Sequence, residues 1–481
     1  MLLDLLLECK KNYETCPAFL YCQGRQEKAV SFQTFFQDVL GEREVFAQWQ
    51  EKRIGVWAYN SYQWIVSVTG LLLAGKTVVL LDGNLGSEAL VRLSGYTDVE
   101  RLMVDEEMMD EEDEIAPYFP MISLDAMARE REAAARKKPD RESALEKTEE
   151  GSFICFTSGT SKSSRGVVLT SKSLCSVIEN FENLMEEGER VYLPLPYHHI
   201  YAFVHIYRIL HYGKTLCLGR MGRNLMEDFQ IMKPDILMCV PSILKYLIEQ
   251  DYFPDYLKLI FTAGSYLRPE LAEQAAGRQV KLYNLYGLSE TMGSIAHSTP
   301  EKGSQWMEPD HGIRFLVGED GELGVILPSH MEEYYKKPEE TCQVLIKEEH
   351  LIWTGDACQM DEDGSVRILG RLRDMIVLEN GEKIHAEDTD GELSQFPGVE
   401  EAAVIYVDGE LTAVFVPESA DLEKTIVRAL NGYNRNRPAG IQIRKTWFRD
   451  MGLPRTSIGK LKRAALEQEY LTRANPGAVG I

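Results

Sequence analysis

A few short stretches hold the side chains that could do chemistry. The first is Phe156-Thr157-Ser158-Gly159-Thr160-Ser161-Lys162-Ser163-Ser164-Arg165-Gly166, rich in hydroxyls and glycine. Such a loop can wrap polyphosphate oxygens with hydroxyls and free N–H groups, and Lys162 and Arg165 would offset their charge. The same composition also suits a plain surface linker. The second is Tyr286-Gly287-Leu288-Ser289-Glu290-Thr291. An aromatic face, a glycine that permits close approach, a hydroxyl and a carboxylate make a nucleotide and Mg²⁺ edge. The third, Trp353-Thr354-Gly355-Asp356, ends on a carboxylate that could accept vicinal hydroxyls, or is a simple turn. Gly370-Arg371-Leu372-Arg373-Asp374 and Pro454-Arg455-Thr456-Ser457-Ile458-Gly459-Lys460 complete the set. Gly459-Lys460 reads either as a hairpin tip or as a mobile cation.

The elements that must position these residues alternate between strand and helix. Arg53 to Ala58 and Thr77 to Asp82 read as buried strands around a helix from Tyr62 to Ala74. That rhythm predicts a parallel sheet covered by helices. Strand chemistry resumes at Ser152 to Phe156, then near 191–195, 215–218, 236–240, 258–262 and 280–283. Residues 312–370 carry short strands with Gly turns and suggest a small β-barrel-like unit. The predicted class is α/β. A large N-terminal domain spans 1–370, with subdomains of about 1–150, 151–310 and 311–370. A small mobile α+β domain spans 371–481. The acidic run from Asp105 to Glu114 reads as a solvated loop or helix end.

One phosphate motif is rejected on context. Gly70-Leu71-Leu72-Leu73-Ala74-Gly75-Lys76-Thr77 fits GxxxxGK[ST], but a P-loop needs a strand before it and a helix after it. Here the order is reversed and the variable positions are apolar, so the stretch reads as a helix end with a glycine cap.

Composition narrows the class. With 481 residues, 44% of them hydrophobic and 26% charged, the chain has the ordinary globular balance and room for several cores. Its 52 basic and 75 acidic residues leave a net charge of −23, which argues against nucleic acid or an anionic membrane as partner. The nine cysteines are odd in number and form no CxxC pair, as expected in a reducing compartment. Met1 to Glu8 reads as an amphipathic helix and not a signal peptide. No run approaches the roughly 20 apolar residues of a membrane span. A cytoplasmic location is expected.

In this order and at these spacings the motifs resemble those of the adenylate-forming (AMP-binding) superfamily, from about Gly55 to Arg463. Asp374 to Gly381 is most similar to its long-chain acyl-CoA synthetases. The superfamily's phosphate loop reads roughly TSGTTGxPKGV. Thr157, Ser158, Gly159, Thr160 and Gly166 match it, whereas Lys162 replaces a Gly, Ser164 a Pro and Arg165 the Lys. The resemblance implies that Thr157, Ser158, Gly159, Thr160, Ser161, Lys162 and Arg165 bind the phosphates of ATP. It places Tyr286 and Gly287 at the adenine, with Ser289 and Glu290 near the α-phosphate and Glu290 on Mg²⁺. Asp356 and Arg371 would contact the ribose. Gly264-Ser265 would wall the space between adenine and acid, and His199 would stand near the acid's carboxylate. Lys460 would be the main adenylation residue, Arg373 the hinge, and the loop around Gly381 part of a thiol channel. The superfamily's IxPxEIE becomes Ile384-His385-Ala386-Glu387-Asp388-Thr389-Asp390.

The resemblance therefore implies an ATP- and Mg²⁺-dependent acid–thiol ligase. It would form an acyl-AMP with release of pyrophosphate and pass the acyl group to CoA. No Asp or Glu lies between Val191 and Lys214, where amino-acid-activating relatives hold a substrate ammonium, so a fatty or other non-amino acid is expected. The apolar helix from Val240 to Leu247 could wall a lipophilic tail or serve only the core. Two other readings stay open: loading of an acyl carrier protein's phosphopantetheine arm, and a degenerate nucleotide- or acyl-binding relative without turnover.

Overall fold

The computed structural model describes residues 1–135, 151–157, 165–178, 188–219, 225–372, 375–378, 383–435, 437–455 and 461–474. Ser158, Gly159, Thr160, Ser161, Lys162, Arg373, Gly381 and Lys460 lie outside them. The chain forms two compact units. One is Met1–Arg314 with Ile326–Ile352; the other is Phe315–Val325 with Trp353–Ile481.

Two sheets organise the first unit. In one, the strands follow the order Glu333–Tyr334, Gly166–Thr170, Ser152–Phe156, Thr77–Asp82, Arg53–Ala58, Arg101–Val104, Met121–Ser123. Pairing is parallel from Ser152–Phe156 to Met121–Ser123 and antiparallel at the other end. Runs such as Val78–Leu81 are buried on both faces, which is why they are continuously apolar. The rejected phosphate motif is a helix end. The Tyr62–Leu73 helix starts at Ser61, whose hydroxyl accepts the Trp64 N–H at 3.0 Å. It stops at Gly75, which has φ +72°. Lys76 then donates to Trp49 O at 2.7 Å, and strand Thr77–Asp82 follows.

The second sheet of this unit has a parallel centre: Lys281–Leu288, Leu259–Thr262, Ile236–Cys239, Arg190–Tyr192, Thr215–Leu218 and Pro17–Gln23. Antiparallel strands extend it at both ends. Helix Pro241–Glu249 covers it with Leu244 and Leu247, which pack against Leu237, Cys239 and Ile260.

In the second unit Arg314–Val317, Glu322–Ile326, Leu351–Met360 and Val366–Arg371 lie side by side. Among the described residues they form an open sheet with Arg314–Val317 at its edge. The barrel-like closure expected for 311–370 is thus corrected: a barrel closes on itself with no edge, whereas here, among the described residues, Arg314–Val317 ends the strand order unpaired on its outer side. Further along, Val399–Val407 and Glu410–Pro417 form a hairpin, and Lys445–Phe448 joins it in parallel. Its turn, Asp408-Gly409, has both φ values positive, as a two-residue type I′ turn requires. Helices Ala386–Leu393 and Glu423–Arg435 share a core with it, with Leu393, Val404, Phe415 and Ile426 inside. All nine cysteines are free, and no helix among the described residues is long and apolar enough to cross a membrane.

Candidate active site

Strand Ser152–Phe156 pairs antiparallel with Gly166–Thr170 down to Phe156 opposite Gly166. Beyond that pair, Thr157 N donates to Arg165 O at 3.0 Å and Arg165 N donates to Thr157 Oγ1 at 3.2 Å. Thr157 and Arg165 therefore close the neck of the Ser-rich loop. The Arg165 guanidinium is engaged by the protein itself. Its Nε lies 2.5 Å from Glu340 Oε2, and its carbon sits 4.8 Å from the Tyr334 ring centroid. Burial works against this charge, but Tyr334 and Glu340 outweigh it and hold the Arg165 pKa above its ordinary value.

A second turn reaches the same place. Between strands Lys281–Leu288 and Gly293–Ser298 the register slips at Tyr286/Gly287. A Cβ on Gly287 would stand 2.0 Å from Gly293 O, so only glycine fits. Thr291 Oγ1 accepts the Leu288 N–H at 3.0 Å and donates to Gly293 O at 2.9 Å. This tight turn presents Ser289 and Glu290. Tyr334 OH donates to Glu290 Oε1 at 2.6 Å, and Met331 N donates to Glu290 O at 2.9 Å. Burial, then the Glu290 charge, push the Tyr334 hydroxyl up, so it stays protonated. Ser289 and Glu290 also face Cys155, two residues before Thr157. Burial pushes that thiol up to about 12, Glu290 adds to the shift, and a hydrogen bond with Ser289 opposes it. The structure thus brings Thr157, Arg165, Ser289 and Glu290 together. Among the described residues no cluster of three His, Cys, Asp or Glu could hold a metal. A single carboxylate instead suits Mg²⁺, which takes one or two carboxylates and completes its shell with phosphates and water.

His199 is the N-cap of helix Ile200–His211, with its carbonyl accepting from Phe203 N at 2.9 Å. Its ring lies 4.2 Å from that of His198. Burial, reinforced by His198 and opposed by Asp82, lowers the His199 pKa to about 3, so the imidazole is neutral. The loop before it is pinned to the carboxyl ends of two strands. Asn60 Nδ2 donates to Leu195 O at 2.6 Å, Asn60 Oδ1 accepts from Tyr197 N at 2.9 Å, and Asp82 lies 3.8 Å from His198 Nε2. Gly264, at φ +87°, and Ser265 follow strand Leu259–Thr262. A Cβ on Gly264 would meet Val240 at 3.4 Å. Tyr201 OH donates to Phe261 O at 3.4 Å, joining the His199 helix to that strand. Leu244 and Leu247 belong to the core, whereas Ile243 is only partly buried and Tyr246 is exposed.

In the second unit Asp356 and Arg371 stand directly opposite each other on paired strands, with Nε 2.9 Å from Oδ1. Arg371 Nη1 also donates to Thr354 O at 2.7 Å. Gly355, at φ +72°, donates its N–H to Glu322 Oε1 at 2.7 Å, which fixes the bend before Asp356. The neck of the segment that carries Lys460 is held as well. Arg455 bridges to Leu461, and Lys462 N donates to Pro454 O at 2.8 Å. Arg455 pairs with Glu401, and Arg463 pairs with Asp390, each at 2.5 Å. Burial raises the Asp390 pKa, and Arg463 opposes it. Asp390, the last residue of the altered 384–390 segment, therefore has a defined partner.

The sequence reading did not single out Tyr334, Glu340, Asn60, Asp82 or Asp390's link to Arg463. All depend on pairings across long separations. The available signal was a tyrosine buried beside a charged run, Tyr334 to Glu340, with Pro338 opening its helix.

The profile of the AMP-binding enzyme family matches residues 48–330. The chain is 23% identical over 455 residues to a 2-succinylbenzoate–CoA ligase of Staphylococcus epidermidis, covering 89% of this chain and 90% of that one. It is 26% identical over 375 residues to the long-chain-fatty-acid–CoA ligase FadD13 of Mycobacterium tuberculosis, covering 73% of each. Its fold matches O-succinylbenzoate coenzyme A synthetase from Bacillus subtilis in complex with AMP, with a TM-score of 0.82 at 20% identity over 96% of this chain and 98% of that one.

Proposed function

Since the chain belongs to the AMP-binding enzyme family, we propose that it is an ATP-dependent acid–CoA ligase acting on a carboxylic acid without an α-amino group. One observation supports this most: the Thr157–Arg165 neck and the Ser289–Glu290 turn meet at Cys155, so a phosphate loop and a carboxylate share one place.

In this reading Thr157, Ser158, Gly159, Thr160, Ser161 and Lys162 cradle the triphosphate, and Arg165 holds the loop's neck. Tyr286 stacks on the adenine beside Gly287, with Gly264 and Ser265 as the wall toward the acid. Asp356 accepts the ribose hydroxyls and Arg371 orients it. Glu290 would hold a magnesium ion, with Ser289 beside it; when bound, the ion screens the phosphate charge. The acid's carboxylate oxygen attacks the α-phosphorus and pyrophosphate leaves, giving the acyl-AMP. Lys460 stabilises the charge that gathers on the oxygens between nucleophile and leaving group. The CoA sulfur then attacks the acyl carbonyl, its proton passes to solvent, and AMP leaves. The segment after Gly370 turns about Arg373, withdrawing Lys460 and bringing the loop around Gly381 to the thiol.

The neutral, half-buried His199 and the lack of acids between Val191 and Lys214 suit an acid with no ammonium group. Leu244 and Leu247 are spent on the core, which weakens the case for a long aliphatic tail. One relative is named for an aryl acid and another for long-chain fatty acids. Aromatic acids therefore come first and fatty acids second. The test is acid-dependent exchange of labelled pyrophosphate into ATP, across aryl acids and fatty acids of graded length. Exchange with at least one acid is expected; none with any acid would reject the ligase. Acceptor assays with CoA and with a holo carrier protein then separate the two thiols, and CoA is expected to win.

A further inference from the structure

Segment 331–335 ties the two halves of the phosphate site together. Strand Glu333–Tyr334 pairs with Gly166–Thr170, placing Tyr334 opposite Val167, and Tyr335 N donates to Gly166 O at 2.7 Å. Its other end reaches the Glu290 turn through Met331 N, which donates to Glu290 O at 2.9 Å. Tyr334 stands between these anchors. It is 2% exposed, so its hydroxyl has no bulk water to fall back on. The hydroxyl donates to Glu290 Oε1 at 2.6 Å. The Arg165 guanidinium covers its ring at 4.8 Å, and Glu340 holds that guanidinium at 2.5 Å. The backbone at Tyr334 is fixed too: its N–H donates to Thr341 Oγ1 at 2.9 Å, and Thr341 Oγ1 donates to Lys337 O at 2.9 Å.

A buried tyrosine that spends its only proton on a carboxylate fixes that carboxylate's rotamer. Because the donor is neutral, it leaves the negative charge in place. We propose that Tyr334 is the positioning residue for Glu290, orienting the carboxylate toward magnesium-bound nucleotide, with Arg165 and Glu340 clamping the tyrosine in place. This rests on the ligase reading only insofar as it requires that the protein bind ATP with Mg²⁺. It predicts a selective defect. Losing the hydroxyl should harm the metal-loaded nucleotide and spare the bare one.

The test is Tyr334→Phe in the full chain, an isosteric change whose fold is checked by melting temperature. ATP binding is measured by calorimetry, without acid, at graded Mg²⁺ and in excess EDTA. Mn²⁺ bound with nucleotide is followed in parallel by paramagnetic resonance. A hydrogen bond to a charged group sets the scale. Half-saturation by Mg²⁺ should rise about tenfold, and affinity for metal-free ATP should stay within about twofold. Glu340→Gln, which loosens the clamp but keeps the hydroxyl, should move the Mg²⁺ midpoint in the same direction by about two- to threefold. An equal loss for metal-loaded and metal-free ATP would make Tyr334 a merely structural residue and overturn the inference. So would an unchanged Mg²⁺ midpoint in Tyr334→Phe. If the wild-type chain binds no ATP with or without Mg²⁺, the ligase reading fails and the inference fails with it. If the wild type binds magnesium–ATP and only the variant result is negative, the inference alone fails.

Discussion

Glu290 in the first unit and Asp356 in the second are both carboxylates at the end of a tight, glycine-dependent bend, yet they are held in opposite ways. Glu290 takes a hydrogen bond from a neutral hydroxyl, Tyr334 OH at 2.6 Å. Asp356 faces a guanidinium, Arg371 Nε at 2.9 Å. A neutral donor orients a carboxylate and leaves its charge available to a cation. A guanidinium offsets the charge and leaves lone pairs that suit neutral hydroxyls. The difference teaches that the partner, more than the carboxylate, decides the ligand. In the proposed ligase, that difference would suit Glu290 to a metal and Asp356 to a sugar.

The largest effect tests whether both carboxylates serve one reaction. Lys460→Ala should lower acid-dependent pyrophosphate exchange by about 10²–10³-fold, the cost typical of losing one preorganised donor at a charged transition state. Transfer from a preformed acyl-adenylate to CoA should survive. Equal loss of both half-reactions would mean that Lys460 acts outside the adenylation step.

The next two variants break or sharpen the contrast itself. Glu290→Gln keeps the shape and removes the charge, so exchange at limiting Mg²⁺ should fall by about 10²-fold, and excess Mg²⁺ should recover little of it. Asp356→Asn keeps an acceptor oxygen and removes the charge that faces Arg371, so it should raise the KM for ATP by about tenfold, leave kcat nearly unchanged and not alter the Mg²⁺ midpoint. If Asp356→Asn moves the Mg²⁺ midpoint as far as Glu290→Gln does, the two carboxylates are not specialised and the contrast is wrong.

Much of this was legible in the sequence, for physical reasons. Strands 53–58, 77–82 and 152–156 are apolar runs bounded by turn residues, so they stood out locally. The motif residues lie on turns whose glycines have no substitute; Gly287 has no room for a Cβ and Gly355 needs φ +72°. Asp356 and Arg371 could be paired because each carries its own motif. What was not legible is held by distant partners. Tyr334 lies 44 residues from Glu290, and nothing in the intervening chain encodes their contact. Asn60 reaches Tyr197 across 137 residues. The apolar helix after Val240 reads the same whether it lines a pocket or a core, and only packing places Leu244 and Leu247 inside. Barrel closure likewise depends on strand number and tilt, which Gly-turn spacing does not specify.

A third carboxylate, Glu42, serves as the control and should give the smallest effect. It is completely buried in the first unit and belongs to no candidate site. Ser67 Oγ donates to it at 2.6 Å, Arg131 Nη1 donates at 3.0 Å, and Gln63 also donates. Burial raises its pKa from 4.5 to about 7; Ser67, Gln63 and Arg131 oppose the shift, and Asp38 adds to it. A raised carboxylate pKa means that the folded chain keeps a proton which the unfolded chain has already released. The stability that this proton contributes is fully present below pH 4.5 and is lost as pH rises through about 7. Glu42→Gln cannot titrate there, so the melting temperature of the wild type minus that of the variant should fall by on the order of 2 °C between pH 5 and pH 8. A difference that rises with pH would mean that the ion pair with Arg131 outweighs burial. The Mg²⁺ midpoint should be the same in both proteins. A shift there would show that any buried carboxylate in this unit can mimic Glu290, and the specific role of a neutral donor would be lost.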